Sequence, residues 1–245
     1  MKKKIAVIGD VHGHRARLEP VLEKLASEAP ELAVLVGDIG ADPPYREGRE
    51  VHWASVRGVI GRVREVLKAP VVFVPGNHDL PEAPPDVDAM NLDGKLAEVA
   101  GLRIFGFGGA GPALFGFPYE WTDADAEKRL VTLLRGVSGI DIFLAHAPPF
   151  ESKLDRLKGG TPVGSRAIAE WIARTRPKLL LCGHIHESWG TDVYEGVPCL
   201  NAGALGEPYG QEIAWIVEWE DGPRRVRSFE WKGGRFTERE WPFAR

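Results

Sequence analysis

The stretch IAVIGDVH, residues 5–12, sets four consecutive apolar residues and a glycine directly before Asp10 and His12, two side chains of metal-ligand type. A short, unbroken apolar run reads as a strand buried on both faces, and whatever follows it sits at the strand's carboxyl end. The arrangement recurs in LAVLVGD (32–38), VVFVPGNHD (71–79), IFLAH (142–146) and LLLCGHIH (179–186). Parallel strands of an α/β sheet deliver their carboxyl ends to one edge, so the five clusters are expected to converge on a single crevice.

Amphipathic segments separate these runs. A helix is expected over 15–26, and Val56, Val59, Ile60, Val63 and Leu67 make the apolar face of a second. A third follows Thr122 or Asp123 as N-cap, between strands at 102–107 and 140–145, and a fourth spans 165–175 and stops near Pro177. Beyond a strand at 178–182 the pattern changes. Short runs at 192–194, 198–200, 212–219 and 225–231, joined by Gly and Pro turns, read as antiparallel strands. The fold class is α/β, with two packed mixed β-sheets flanked by helices in one domain over residues 1–245. The Pro- and acid-rich loops at 40–49 and 80–88 lie between core elements and read as insertions.

Composition narrows the function classes. A chain of 245 residues with 44% hydrophobic content supports a sizeable core, and a net charge of -4 speaks against nucleic acid as partner. The only cysteines, Cys182 and Cys199, are too few for a disulfide framework, and the apolar run after Lys2, Lys3 and Lys4 is too short for a signal peptide. With no membrane-length apolar stretch, a cytoplasmic location is expected.

The ligand set comprises Asp10, His12, Asp38, Asn77, His146, His184 and His186. Carboxylate, amide oxygen and imidazole suit hard-to-borderline divalent metals, and seven ligands are too many for one tetrahedral site. Shared between two cations, with one carboxylate bridging, they would form the clamp about 3.5–4 Å across that serves in-line attack on phosphorus. Gly9, Gly37, Gly76 and Gly183 are expected to let the backbone turn sharply where strand gives way to ligand loop.

The ordered series D-x-H, G-D, G-N-H-D, a later lone His and G-H-x-H, each after a strand, resembles the calcineurin-like metallophosphoesterase superfamily. The stretches AHAPPFESKLD (145–155), VGSRAI (163–168), CGHIHES (182–188) and LNAGALG (200–206) further resemble a small bacterial and archaeal subgroup related to cyclic-nucleotide phosphodiesterases. The resemblance implies a four-layer αββα sandwich and two divalent metal ions drawn from Mn, Fe, Zn, Ni or Mg. It assigns Asp10, His12 and His186 to one ion, Asn77, His146 and His184 to the other, and Asp38 to the bridge. It also implies that His78 protonates the leaving oxygen, that Asp79 orients the His78 ring, and that a hydroxide shared by the metals is the nucleophile. The expected substrate is a small phosphate diester or monoester, with nucleotides among the candidates. A nuclease and a non-catalytic scaffold of the same fold are the alternatives.

Other residues carry blander readings. His14, where many relatives have Asn, is read as a helix cap, and His52 as a surface helix residue. Cys182 is read as a small core hydrophobe, and Asn201 as a partner of backbone near the site. Phe105 and Phe107 are expected between the sheets. Phe115, Phe117, Tyr119 and Trp121 sit in a Gly-rich loop able to wall a pocket. The tail, with Arg224, Arg225, Arg227, Lys232 and Arg235 diluted by Glu230, Glu238 and Glu240, is read as a solvated strand face.

Overall fold

The computed structural model describes residues 2–41, 48–84, 86–111, 116–206 and 210–243. Among the described residues, thirteen strands form two sheets. The first holds β1 (Lys3–Ile8), β2 (Leu32–Leu35), β3 (Val71–Phe73), β4 (Met90–Asn91), β11 (Ile213–Trp219), β12 (Pro223–Lys232) and β13 (Arg235–Trp241), in the order β13-β12-β11-β1-β2-β3-β4. The second holds β5 (Leu96–Val99), β6 (Leu102–Phe107), β7 (Ile142–Ala145), β8 (Leu179–Cys182), β9 (Gly190–Tyr194) and β10 (Val197–Asn201), in the order β5-β6-β7-β8-β10-β9. Both are mixed. Neighbours from β1 to β4 and from β6 through β8 to β10 pair in parallel, and the flanking strands pair antiparallel.

Residue parity along each strand builds the layers, because successive side chains point to opposite faces. In β1, Ile5 and Val7 join Ile104, Ile142, Leu144, Leu179 and Leu181 in the core between the sheets. Ala6 and Ile8 turn outward to meet Leu18, Val21, Leu22 and Leu25 of α1 (Arg15–Ser27) and Val56, Val59, Ile60 and Val63 of α2 (Arg49–Leu67). On the far side, Phe143 and Leu180 pack against Ala126 and Leu130 of α3 (Asp123–Leu133) and Ile168 and Ile172 of α4 (Arg166–Thr175). The result is the expected αββα sandwich. Phe105 and Phe107 depart from expectation: they belong to the helix-facing core, because Leu102 and Ile104 take the inter-sheet positions. Arg103, exposed and of the same parity as Phe105 and Phe107, marks that outward face.

Local signals fix the helix starts. Thr122 caps α3, its side chain accepting from the Asp125 amide at 3.2 Å, and Ser165 caps α4 by accepting from Ile168 at 3.2 Å. His14 stands at the cap position of α1, but its side chain makes no cap hydrogen bond, so the expected cap is one of position only. The tail is the strand pair β12–β13. Arg225 pairs with Glu240 at 2.9 Å as a solvated face should, whereas Arg227 turns inward and is buried. Trp241 then folds back over the sandwich edge, with ring centroids 5.6 Å from Trp189 and 5.3 Å from Trp215. Most of the 40–49 loop, with Phe115 and residues 207–209, lies outside the described residues. Among the described residues no helix is long and apolar enough to cross a membrane.

Candidate metal centre

The carboxyl ends of β1, β2 and β3 in one sheet and of β7 and β8 in the other open onto the same edge of the sandwich. There the structure gathers the ligand-type side chains. Asp10 Oδ2 lies 2.9 Å from His186 Nε2, and His186 Nε2 lies 3.5 Å from His12 Nε2. Asp38 Oδ2 stands 3.8 Å from His12 Nε2 and 3.3 Å from His146 Nε2. His146 Nε2 is also 3.0 Å from Asn77 Oδ1, and the rings of His146 and His184 are 5.1 Å apart. Two triads have donor atoms all within 4.8 Å of one another: Asp10, His12 and His186, and Asp10, Asp38 and His146. Asp10 and Asp38 both face the two groups.

The backbone that achieves this is strained at the ligands themselves. His12, Asp38 and His184 adopt φ of 47°, 49° and 68°, the left-handed region that side-chain-bearing residues seldom occupy. Three of the four glycines serve a different purpose from the one expected. Of the four, only Gly37 has positive φ. Gly76 and Gly183 are required for close approach: a Cβ would come within 2.0 Å of Asp38 Oδ1 at the first and within 2.4 Å of Asp10 Oδ1 at the second.

Residues 3–188 match the sequence signature of the calcineurin-like phosphoesterases. The chain belongs to that family. It is therefore a hydrolase of phosphoester bonds in a metal-dependent class, and the structure holds candidate metal-ligand residues. Among relatives, it is 28% identical over 192 residues to the uncharacterized protein MJ1162 of Methanocaldococcus jannaschii, covering 76% of this chain and 81% of that one. Among solved structures it resembles TT1561 of Thermus thermophilus, with TM-score 0.64, 19% identity and 89% and 95% of the two chains covered. It also resembles Vps29 of Entamoeba histolytica complexed with zinc, with TM-score 0.53, 16% identity and 97% of each chain covered. At these identities the two structures attest the fold.

The electrostatics of the phosphoesterase fit a cation. Asp10 and Asp38 are 0% and 1% exposed, and burial alone would raise their pKa values. In Asp38 the His146 imidazole overrides burial and holds the carboxyl well below its usual range; in Asp10 the hydrogen bond from His186 and the charge of His146 lower it. Burial would depress His146, but the Asp38 and Asp10 carboxylates outweigh it and raise the group to about 9. Desolvation, then the charge of His146, lowers His184 to about 3, which keeps its lone pair free for ligation. Two buried carboxylates thus draw positive charge to this point. Asp10 Oδ1 is buried without a hydrogen-bond partner, as a coordination position would be. Oxygen and imidazole donors complete a set that suits a divalent ion.

Supporting residues differ from expectation. Asp79 spends its carboxylate on backbone amides rather than on the His78 ring: it accepts from Ile39 at 3.0 Å, Gly40 at 3.0 Å and Gly76 at 2.9 Å. It holds the loops after β2 and β3 together, and burial followed by the Asp38 charge raises its pKa. His52 is no surface residue. It is 3% exposed, with Nδ1 3.3 Å from the Ala41 carbonyl and Nε2 3.4 Å from both the Leu80 amide and Asp79 Oδ1. The signal was present, since His52 lies one turn before Val56 on the apolar stripe of α2. Cys182 is buried as expected, which pushes its thiol well above the usual value. In the Gly-rich loop, Trp121 is core and Tyr119 bonds Asp93 at 2.5 Å, while Phe117 stacks on His78 with centroids 3.7 Å apart.

Proposed function

We propose that the protein hydrolyses a small phosphate diester or monoester with two divalent cations at this edge. Asp10, His12 and His186 would hold one cation and Asn77, His146 and His184 the other, with Asp38 shared. The observation that carries the reading is the reach of Asp38 Oδ2 toward His12 and His146 alike, at 3.8 and 3.3 Å, which joins the two ligand groups through one buried carboxylate. Two bound cations supply Lewis acidity toward the phosphoryl oxygens and lower the pKa of water enough to yield a nucleophile near neutral pH.

The chain's own residues do the rest. The His78 amide donates to Asp38 Oδ1 at 2.9 Å, so the residue assigned to protonate the leaving oxygen is held in register with the shared carboxylate. Phe117 covers one face of the His78 ring and forms an apolar wall on the leaving-group side. A small substrate is favoured because few residues lie outside the core elements to build a large cap or a polymer-binding platform.

The test is a screen of protein reconstituted in turn with Mn, Fe, Zn, Ni and Mg. Substrates are bis-p-nitrophenyl phosphate, p-nitrophenyl phosphate, 2′,3′- and 3′,5′-cyclic nucleotides and single-stranded DNA. Metal-dependent turnover of at least one small ester is expected. Turnover no faster than the metal salt alone throughout, or confined to DNA, would overturn the reading.

A further inference from the structure

Asn201 ends β10, opposite Cys182 of β8 and Gly190 of β9, and is 0% exposed. A buried primary amide is costly unless its donors and its acceptor are all engaged. Here they are, and the partners are informative. Nδ2 donates to the Ile185 carbonyl at 3.0 Å and to the Leu154 carbonyl at 3.2 Å, while Oδ1 accepts from the Gly203 amide at 2.9 Å. Only one orientation of the amide satisfies two carbonyls and one N–H at once.

Each partner leads to a ligand-bearing segment. Ile185 is the residue between His184 and His186. The Gly203 carbonyl accepts from the Asp10 amide at 3.2 Å, and the two chains run so close that a Cβ on Gly9 would lie 1.7 Å from that carbonyl. Leu154 belongs to the chain that leaves His146. That chain is clasped again where the Arg156 amide donates to Ser188 Oγ at 3.0 Å, two residues beyond His186. One side chain therefore joins the loops that present Asp10, His184 and His186 with the segment that follows His146.

We propose that Asn201 is a positioning residue for metal binding: its amide sets the spacing of ligand loops drawn from both sheets. The proposal rests on the two-cation reading. Side chains that fix the ligands of a metal from behind typically control affinity by about 10–100-fold. Aspartate is the sharpest replacement, because it keeps the shape while turning a donor into an oxygen that faces the carbonyls of Ile185 and Leu154.

The test is calorimetric titration of chelator-stripped full-length protein with Mn²⁺, a readout that needs no turnover. Asn201→Asp should weaken manganese binding by about 10–100-fold, and Asn201→Ser, which keeps one donor and one acceptor, should weaken it less. Ile172→Val, a change in the helix-facing core of α4, should lower Tm while leaving manganese affinity within about twofold, since it touches no group that fixes a ligand. Should Asn201→Asp fail to fold, Asn201→Ser decides. Wild-type manganese affinity in a folded Asn201 variant, or an equal loss in Ile172→Val, overturns the assignment of Asn201 alone. Wild-type protein that takes up none of Mn, Fe, Zn, Ni and Mg in the same titration defeats both this assignment and the reading beneath it; if it takes up one of the others and not manganese, that ion replaces manganese in the comparison.

Discussion

The two ends of the first sheet handle charge in opposite ways. At the amino end of β1, Glu28 binds Arg227 at 2.6 Å, Lys4 at 3.1 Å and Lys24 at 3.2 Å, and Arg227 also reaches Glu238 at 3.0 Å. Each of these charges meets an opposite one. At the carboxyl end, Asp10, Asp38 and Asp79 are buried among histidines, two of the carboxylates hold their protons off, and Asp10 Oδ1 has no partner. Both ends bring ionisable groups together, so clustering is not what marks a functional site. The mark is a demand for positive charge that the protein itself meets only in part, through His146.

Removing the demand should have the largest effect. Asp38→Ala is expected to lose bound metal and reduce ester hydrolysis to background together, measured by elemental analysis alongside the assay. Retained metal with lost activity would break the link between the shared carboxylate and ligation. His78→Ala should keep its metal while turnover falls about 10²–10⁴-fold, most steeply on esters with poor leaving groups. Full-rate turnover of such an ester would remove His78 from the acid role.

Filling the demand should stabilise the molecule. A ligand at a hundred times its Kd adds about 2.7 kcal/mol, and in a chain this long each kcal/mol moves Tm by about 2–4 °C. Chelation should therefore lower the melting temperature by about 5–10 °C, as scanning calorimetry would show. Chelation that leaves Tm unchanged would mean that the site holds no ion tightly.

The smallest effect belongs to the other end. Arg227 first, then Lys4 and Lys24, outweigh partial burial and hold Glu28 at about 2, against 4.5 when unfolded. A folded-state value below the unfolded one contributes stability that is present above pH 4.5 and is lost as pH falls toward 2. Glu28→Gln should cost on the order of 1 kcal/mol at pH 7, and the gap from wild type should close between pH 4.5 and 2. A gap that persisted at the acid end of that window would show that Glu28 acts by packing and not by charge.

What the sequence revealed follows the same division. Each ligand was legible because it stands directly after an apolar strand, so five strand ends and their chemistry could be read locally. Of the residues that hold those ends together, Asn201 was read as a partner of backbone near the site, as it is, but which backbone each serves could not be read that way. Asp79 serves Ile39, forty positions away, and Asn201 serves Leu154, forty-seven away, through backbone amides and carbonyls that carry no side-chain signature. Their work exists only once the sheets have packed. Strand β13 was read only within a solvated tail face, without bounds, because the side chains of RFTEREW are mostly exposed and no apolar face marks where it starts and stops. β4 has only two residues, too few for any periodicity to register.

The left-handed backbone at His12, Asp38 and His184 has an evolutionary corollary. Glycine would relax each of those three positions in the metal-free protein, but it would also remove a ligand and with it the stabilisation that a bound cation adds. Selection for heat resistance therefore pulls two ways there, toward glycine in metal-poor surroundings and toward the imidazole or carboxylate where cations are plentiful.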